Sequence, residues 1–132
     1  MNKFIPRSEM PKDTLDWGVM GWISNPKTTQ NKDLTVLDVE LFPGQGHNFH
    51  KHPDQEEVIV CIKGTVEQWI DKEKRMLKPG DAIYVDADVV HATFNNSDES
   101  AFVLAILGPC VGEEGYEVVE VGDQAPWNTM RS

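Results

Sequence analysis

Three of the four histidines and two adjacent glutamates fall within residues 44–64, GQGHNFHKHPDQEEVIVCIKG, and the simplest chemistry open to them is metal binding. His50 and His52 are one residue apart, so on an extended segment both imidazoles leave the same face. Pro53-Asp54-Gln55 is turn-forming, and the β-branched run 56–62 after it can return as a neighbouring strand that brings a carboxylate alongside. His91, in a second apolar run at 87–94, can add a third imidazole. Three imidazoles and one carboxylate suit a divalent Mn, Fe, Ni, Co, Cu or Zn ion and leave one or two coordination positions open, as catalysis needs.

The same alternation sorts the neighbours. Asn48 shares parity with His50 and His52 and is expected to line the cavity, whereas His47 falls on the opposite face unless a bulge intervenes; with a bulge it becomes a substrate-facing candidate. Ile59 follows Glu57 on one face, and Thr93 and Asn95 share the face of His91, so all three are candidates to contact substrate. One of Gln68 and Trp69 must face inward; Gln68 would bring an amide and Trp69 a stacking wall. Glu56 is expected to point to solvent, and Cys61 to be a small buried residue rather than a nucleophile. With mostly apolar inward positions, a small, partly apolar, oxygen-bearing molecule is the expected ligand.

These side chains must be held by strands. Residues 34–42 alternate cleanly, with Thr35, Leu37, Val39 and Leu41 on one face, and further strands are expected at 15–23, 56–62, 64–70, 76–77, 82–85, 89–95 and 101–107. Turn signals separate them: Pro43-Gly44, Pro79-Gly80 and the charged tip 71–74. Short strands without a helical period predict an all-β barrel or sandwich. A polar loop is expected at 24–33, an arm at 1–14, and an acidic tail at 109–132 that wraps the outside or a partner subunit, with one strand-like piece at 116–121.

At 132 residues the chain reads as one domain with a core over about 15–108. Twelve Lys and Arg against 22 Asp and Glu give a net charge of −10, which argues against nucleic acid and anionic membranes as partners. Cys61 and Cys110 make no disulfide framework, and the first residues carry no apolar stretch, so reduced thiols in a cytoplasmic protein are expected.

The spacing of the histidine segment resembles the first motif of the cupin superfamily, a glycine, five residues, His-x-His, three or four residues, Glu, six residues and Gly, on Gly44, His50, His52, Glu57 and Gly64. The second motif is similar at Gly80, His91 and Asn95, with Asp86 and Asp88 where that pattern has Pro and Gly, which puts the turn between them in question. The resemblance implies a jelly-roll β-barrel (a double-stranded β-helix). It implies Glu57, rather than Glu56, as the fourth ligand beside His50, His52 and His91. It also implies a homodimer, with residues 15–23 and the tail as candidate contacts. Among the chemistries of such barrels, dioxygenase-type chemistry with Glu57 as base is placed first. Alternatives are metal-dependent isomerisation or lyase chemistry on a sugar or organic acid, and non-catalytic ligand binding. Some cupin lyases place a tyrosine base where Ile59 stands, so here Tyr84 or Glu57 would have to serve.

Overall fold

A computed structural model describes residues 3–131 as two antiparallel sheets facing one another across an apolar core. The strands are β1 Lys12–Thr14, β2 Gly18–Ser24, β3 Thr35–Leu41, β4 Gly46–Lys51, β5 Glu56–Lys63, β6 Val66–Ile70, β7 Glu73–Leu77, β8 Ala82–Val85, β9 His91–Phe94, β10 Ala101–Gly108 and β11 Val119–Glu120. One sheet has the order β1-β2-β3-β10-β5-β8 and the other β11-β4-β9-β6-β7. This is the all-β architecture that the pattern predicts, in the jelly-roll form that the resemblance implies.

Alternation places the core. Thr35, Leu37, Val39 and Leu41 are all buried, and on β10 Ala101, Val103, Ala105 and Leu107 fill the same interior. Gly64 ends β5 at φ +84°, where a side chain would strain the backbone and its Cβ would press on Ala101.

Several boundaries differ from expectation. Residues 12–14, read as arm, pair with β2, whose start moves to Gly18 because Leu15 and Gly18 close a tight turn first. The loop 24–33 holds a short helix α1, Pro26–Thr29, where Asn25 accepts from Thr28 N–H at 2.9 Å in a capping box. Only Val119–Glu120 of the strand-like 116–121 is a strand. Trp22 is buried in the core, so the aromatic segment 15–23 is largely occupied within its own chain.

A second apolar cluster lies on the outer face of the β4-β9-β6 sheet. Phe49, Trp69, Ala92 and Phe94 would meet water there, but the tail covers them with Val121, Trp127 and Met130. Arg131 closes the cover, 3.7 Å above the Phe94 ring and 2.7 Å from Glu67. Burial alone would raise the pKa of Glu67; donation from Arg131, Trp69 and Asn96 outweighs it and holds the carboxyl at about 2. A carboxyl depressed on folding stabilises above its unfolded pKa and loses that contribution as pH falls toward its folded one. Urea midpoints are therefore expected to fall between about pH 5 and pH 2, and Glu67→Gln is expected to flatten that fall by about 1–2 kcal/mol. Equal slopes for the two proteins would remove this clip from the account.

Candidate metal centre

Strand pairing assembles the histidines. β4 and β9 set His50 directly opposite His91, His52 follows the end of β4, and the turn at 53–54 starts β5 so that Glu57 returns beside them. Ligand atoms of His50, His52 and His91 lie within 4.8 Å of one another. All of them are buried: His91 is 0 % exposed, His52 2 %, His50 4 % and Glu57 5 %.

Each imidazole has one nitrogen tied to a backbone carbonyl. Nδ1 of His50 meets Asn48 O at 2.7 Å, Nδ1 of His52 meets Glu117 O at 2.6 Å, and Nδ1 of His91 meets Val89 O at 3.0 Å. A carbonyl only accepts, so each Nδ1 carries the proton and each Nε2 keeps its lone pair. Glu57 Oε1 lies 2.8 Å from His91 Nε2 and 3.3 Å from His52 Nε2, yet the alignment makes no hydrogen bond and leaves these three buried atoms without a partner. Convergent orphaned lone pairs are costly in a protein interior and are what a cation would satisfy. The donors therefore fit a divalent ion.

Electrostatics differ from ring to ring. Burial, then the nearness of His47, His91 and His52, which would repel a second positive charge, pushes His50 well below its ordinary value and keeps it a neutral donor. Burial opposes ionisation of Glu57, but His52 and His91 win and hold it at about 2. For His52 the balance falls the other way: burial lowers its pKa and Glu57 raises it further.

The turn that departs from the cupin pattern is nonetheless formed. Asp88 adopts φ +68°, a left-handed conformation that aspartate tolerates better than most side chains, and its N–H donates to His52 O at 3.0 Å while its carboxylate meets Lys51 at 3.1 Å. It does the work of the expected glycine.

Parity fails around His47. The β4–β9 register gains one residue between His47 and His50, a β-bulge, so both rings face the same side and stack at 3.5 Å with 5° between planes. Trp17 stacks on the far face of His47 at 4.7 Å, and Glu120 holds its Nε2 at 2.9 Å. Asn48 is correspondingly thrown to the exposed outer face, against Gly122, and does not line the cavity. Phe49 goes with it into the tail-covered cluster.

The other expected contacts divide. Ile59 and Thr93 line the cavity beside His50 and Glu57. Gln68 is the inward residue of its pair and accepts from Thr93 Oγ1 at 2.6 Å, but it borders a neighbouring cleft between β6, β7 and β8, while Trp69 faces out. Asn95 is fully buried and spent on backbone, donating to Leu41, Phe42 and Glu99 carbonyls and accepting from Ser97; it ties loops and contacts no cavity. Glu56 is exposed, and burial followed by Asp81 pushes the Cys61 thiol up, away from thiolate chemistry.

Sequence reading missed Trp17, Tyr116 and the tail residues Glu117 and Glu120. Nothing local marks them, because each reaches the site across 30 or more positions of chain; only Glu120, pairing opposite His50, follows from strand register, and that strand is two residues long. Tyr116 sits 5.2 Å from His52, ring to ring, and burial, then Glu57 and Glu120, keeps its phenol protonated.

Comparison with known proteins decides the family. A model described as "Cupin domain" matches residues 37–107. The chain belongs to that family. This cupin is 26 % identical over 103 residues to the pectin degradation protein KdgF of Dickeya dadantii, covering 78 % of this chain and 90 % of the relative. In fold it is similar to KdgF from a Halomonas species, at a TM-score of 0.70 and 20 % identity over 80 % of this cupin and 94 % of that chain. It is similar too to the oxalate decarboxylase of Lactobacillus farciminis, at a TM-score of 0.76 and 18 % identity over 88 % of this cupin and 35 % of that chain. Likeness at that identity speaks for the fold alone.

Proposed function

We propose that this cupin is a mononuclear metal enzyme, with His50, His52, His91 and Glu57 as ligands, that acts on a small oxygen-bearing organic molecule by dioxygenase-type chemistry. One observation carries the reading: the cavity bordering His50 and Glu57, about 40 Å³ in volume, is walled by apolar and aromatic groups such as Trp17, Met20, Val39, Ile59 and Tyr116. Among the described residues that line it there is no Lys or Arg, so a polyanion would find no counter-charge in a protein of net charge −10. The lining, rather than the size of the enclosed space, favours a largely apolar molecule with neighbouring oxygens.

A divalent ion there would supply Lewis acidity and an open face for substrate oxygens. The chain supplies the rest. The Trp17–His47–His50 stack forms one rigid side of the cavity, and the protonated Tyr116 phenol can donate to a substrate oxygen. The apolar lining excludes water from the reacting centre. While both imidazoles face Glu57 its basicity is low, so the base role requires the carboxylate to turn away from them.

Protein reconstituted with Fe(II), Ni(II) or another of the candidate ions is expected to take up dioxygen with catechol- or flavonol-like compounds. No uptake with any ion sinks the oxygenase reading. The second reading, isomerisation or lyase chemistry on a sugar or organic acid, draws on the names of the relatives, a pectin degradation protein and an oxalate decarboxylase. Deuterium entering a carbon next to a carbonyl in deuterated water, without dioxygen uptake, would select it. Ligand-induced stabilisation without turnover would select a binding protein.

Free Cys61 and Cys110 fit a reducing, cytoplasmic setting within the same reading. Pairing of two copies is supported by apolar groups that remain uncovered on the β1–β8 sheet, such as Ile62 and Tyr84. No helix among the described residues is long and apolar enough to cross a membrane.

A further inference from the structure

Gln55 sits in the turn between His52 and Glu57 and is 1 % exposed, an unusual depth for an amide at a loop tip. Its side chain makes no bond to any proposed ligand. Instead Nε2 donates to Pro109 O at 2.8 Å and Gly115 O at 2.9 Å, while Oε1 accepts from Glu117 N–H at 2.9 Å. All three contacts fall on one stretch of the C-terminal segment. The residue whose N–H is pinned by Gln55 is the residue whose carbonyl receives His52 Nδ1–H at 2.6 Å.

We propose that Gln55 is a positioning residue for the metal site: by fixing the Glu117 peptide it sets the tautomer and ring orientation of His52. The chain of contacts is complete. Gln55 Oε1 locates Glu117 N, the same residue presents its carbonyl through the next peptide unit, and that carbonyl takes the Nδ1 proton so that Nε2 faces Glu57 and the other imidazoles. Gln55 is suited to this because a primary amide both donates and accepts; its donor end ties down Pro109 and Gly115 so that the segment cannot drift from its acceptor end. Thr35 Oγ1 donates to Gly115 O as well, which fixes the segment on the core side. His50 and His91 need no such device, since their carbonyls belong to Asn48 and Val89, each two residues earlier in the chain. His52 alone borrows an acceptor from across the chain. The inference rests on the metal reading and is independent of the substrate.

The test compares the full-length wild type with Gln55→Leu, of similar size but unable to hydrogen-bond, and Gln55→Glu, which keeps an acceptor for Glu117 N–H. In metal-free protein, imidazole N–H resonances report each Nδ1 proton separately. Gln55→Leu is expected to lose the protected His52 Nδ1–H signal while those of His50 and His91 persist, and to bind Co(II) roughly 10–100-fold more weakly. Gln55→Glu is expected to retain the His52 signal and to lie nearer the wild type in Co(II) affinity. An unchanged His52 signal with wild-type affinity in Gln55→Leu overturns the proposal. So does simultaneous loss of all three signals, which would make Gln55 a general prop of the fold. If the wild type binds no Co(II), the metal reading fails, while the resonances still decide whether Gln55 orients His52.

Discussion

Saturation with a suitable divalent ion is expected to raise the unfolding midpoint of this cupin by roughly 10–15 °C, and His91→Ala is expected to abolish the gain. Ion present at about a thousand times its dissociation constant adds about 4 kcal/mol to folding. For a domain of this size each kcal/mol is worth roughly 3–4 °C. The gain is large because the folded state already carries the cost of the site: three buried atoms, His52 Nε2, His91 Nε2 and Glu57 Oε1, have no hydrogen-bond partner until a cation joins them. His91 is the fully buried member and contacts Glu57 most closely, at 2.8 Å, so its removal should be the most damaging single change. Differential scanning fluorimetry with Mn, Fe, Ni, Co, Cu and Zn, each against a chelated control, measures this. A midpoint unmoved by every ion would leave the histidine cluster without its explanation.

Phe49→Ala is the second large effect, expected to cost about 3–5 kcal/mol without touching a proposed ligand. Phe49 is 1 % exposed and packs between Trp69, Phe94 and Trp127 at ring distances of 5.5, 6.0 and 5.4 Å. It is the pin that joins the outer face of the sheet to the tail. Its loss opens a void on both sides, and amide exchange in residues 119–130 should accelerate more than in β3 or β10. Chemical denaturation gives the first quantity and hydrogen exchange the second. A cost below about 1 kcal/mol would mean that the tail does not depend on this cluster.

Much of this was legible in the chain, for a physical reason. Alternation over β3 names its buried residues, because a strand with one face in the core has no other register to adopt. The histidines were legible because their positions are locked to strand pairing and to turns whose residue types show. His47 and Asn48 were not, since one inserted residue in β4 exchanges their faces and no residue type announces it. Asn95 satisfied the motif and the parity, yet its amide is consumed by three carbonyls, a demand set by loops rather than by the strand. Gln55 read as a turn former because its partners lie more than 50 positions away.

The pairing of β11 with β4 has a consequence for biosynthesis. His50, His52, Glu57 and His91 all leave the ribosome before Glu117, whose carbonyl fixes His52 and whose neighbours Val119 and Glu120 lie beside Lys51 and His50. At ~5–20 residues per second the nascent chain spends a second or more with its imidazoles translated but His52 unanchored. An ion held by the proposed ligands would therefore meet an anchored His52 only after Glu117 has been translated and folded back onto the site.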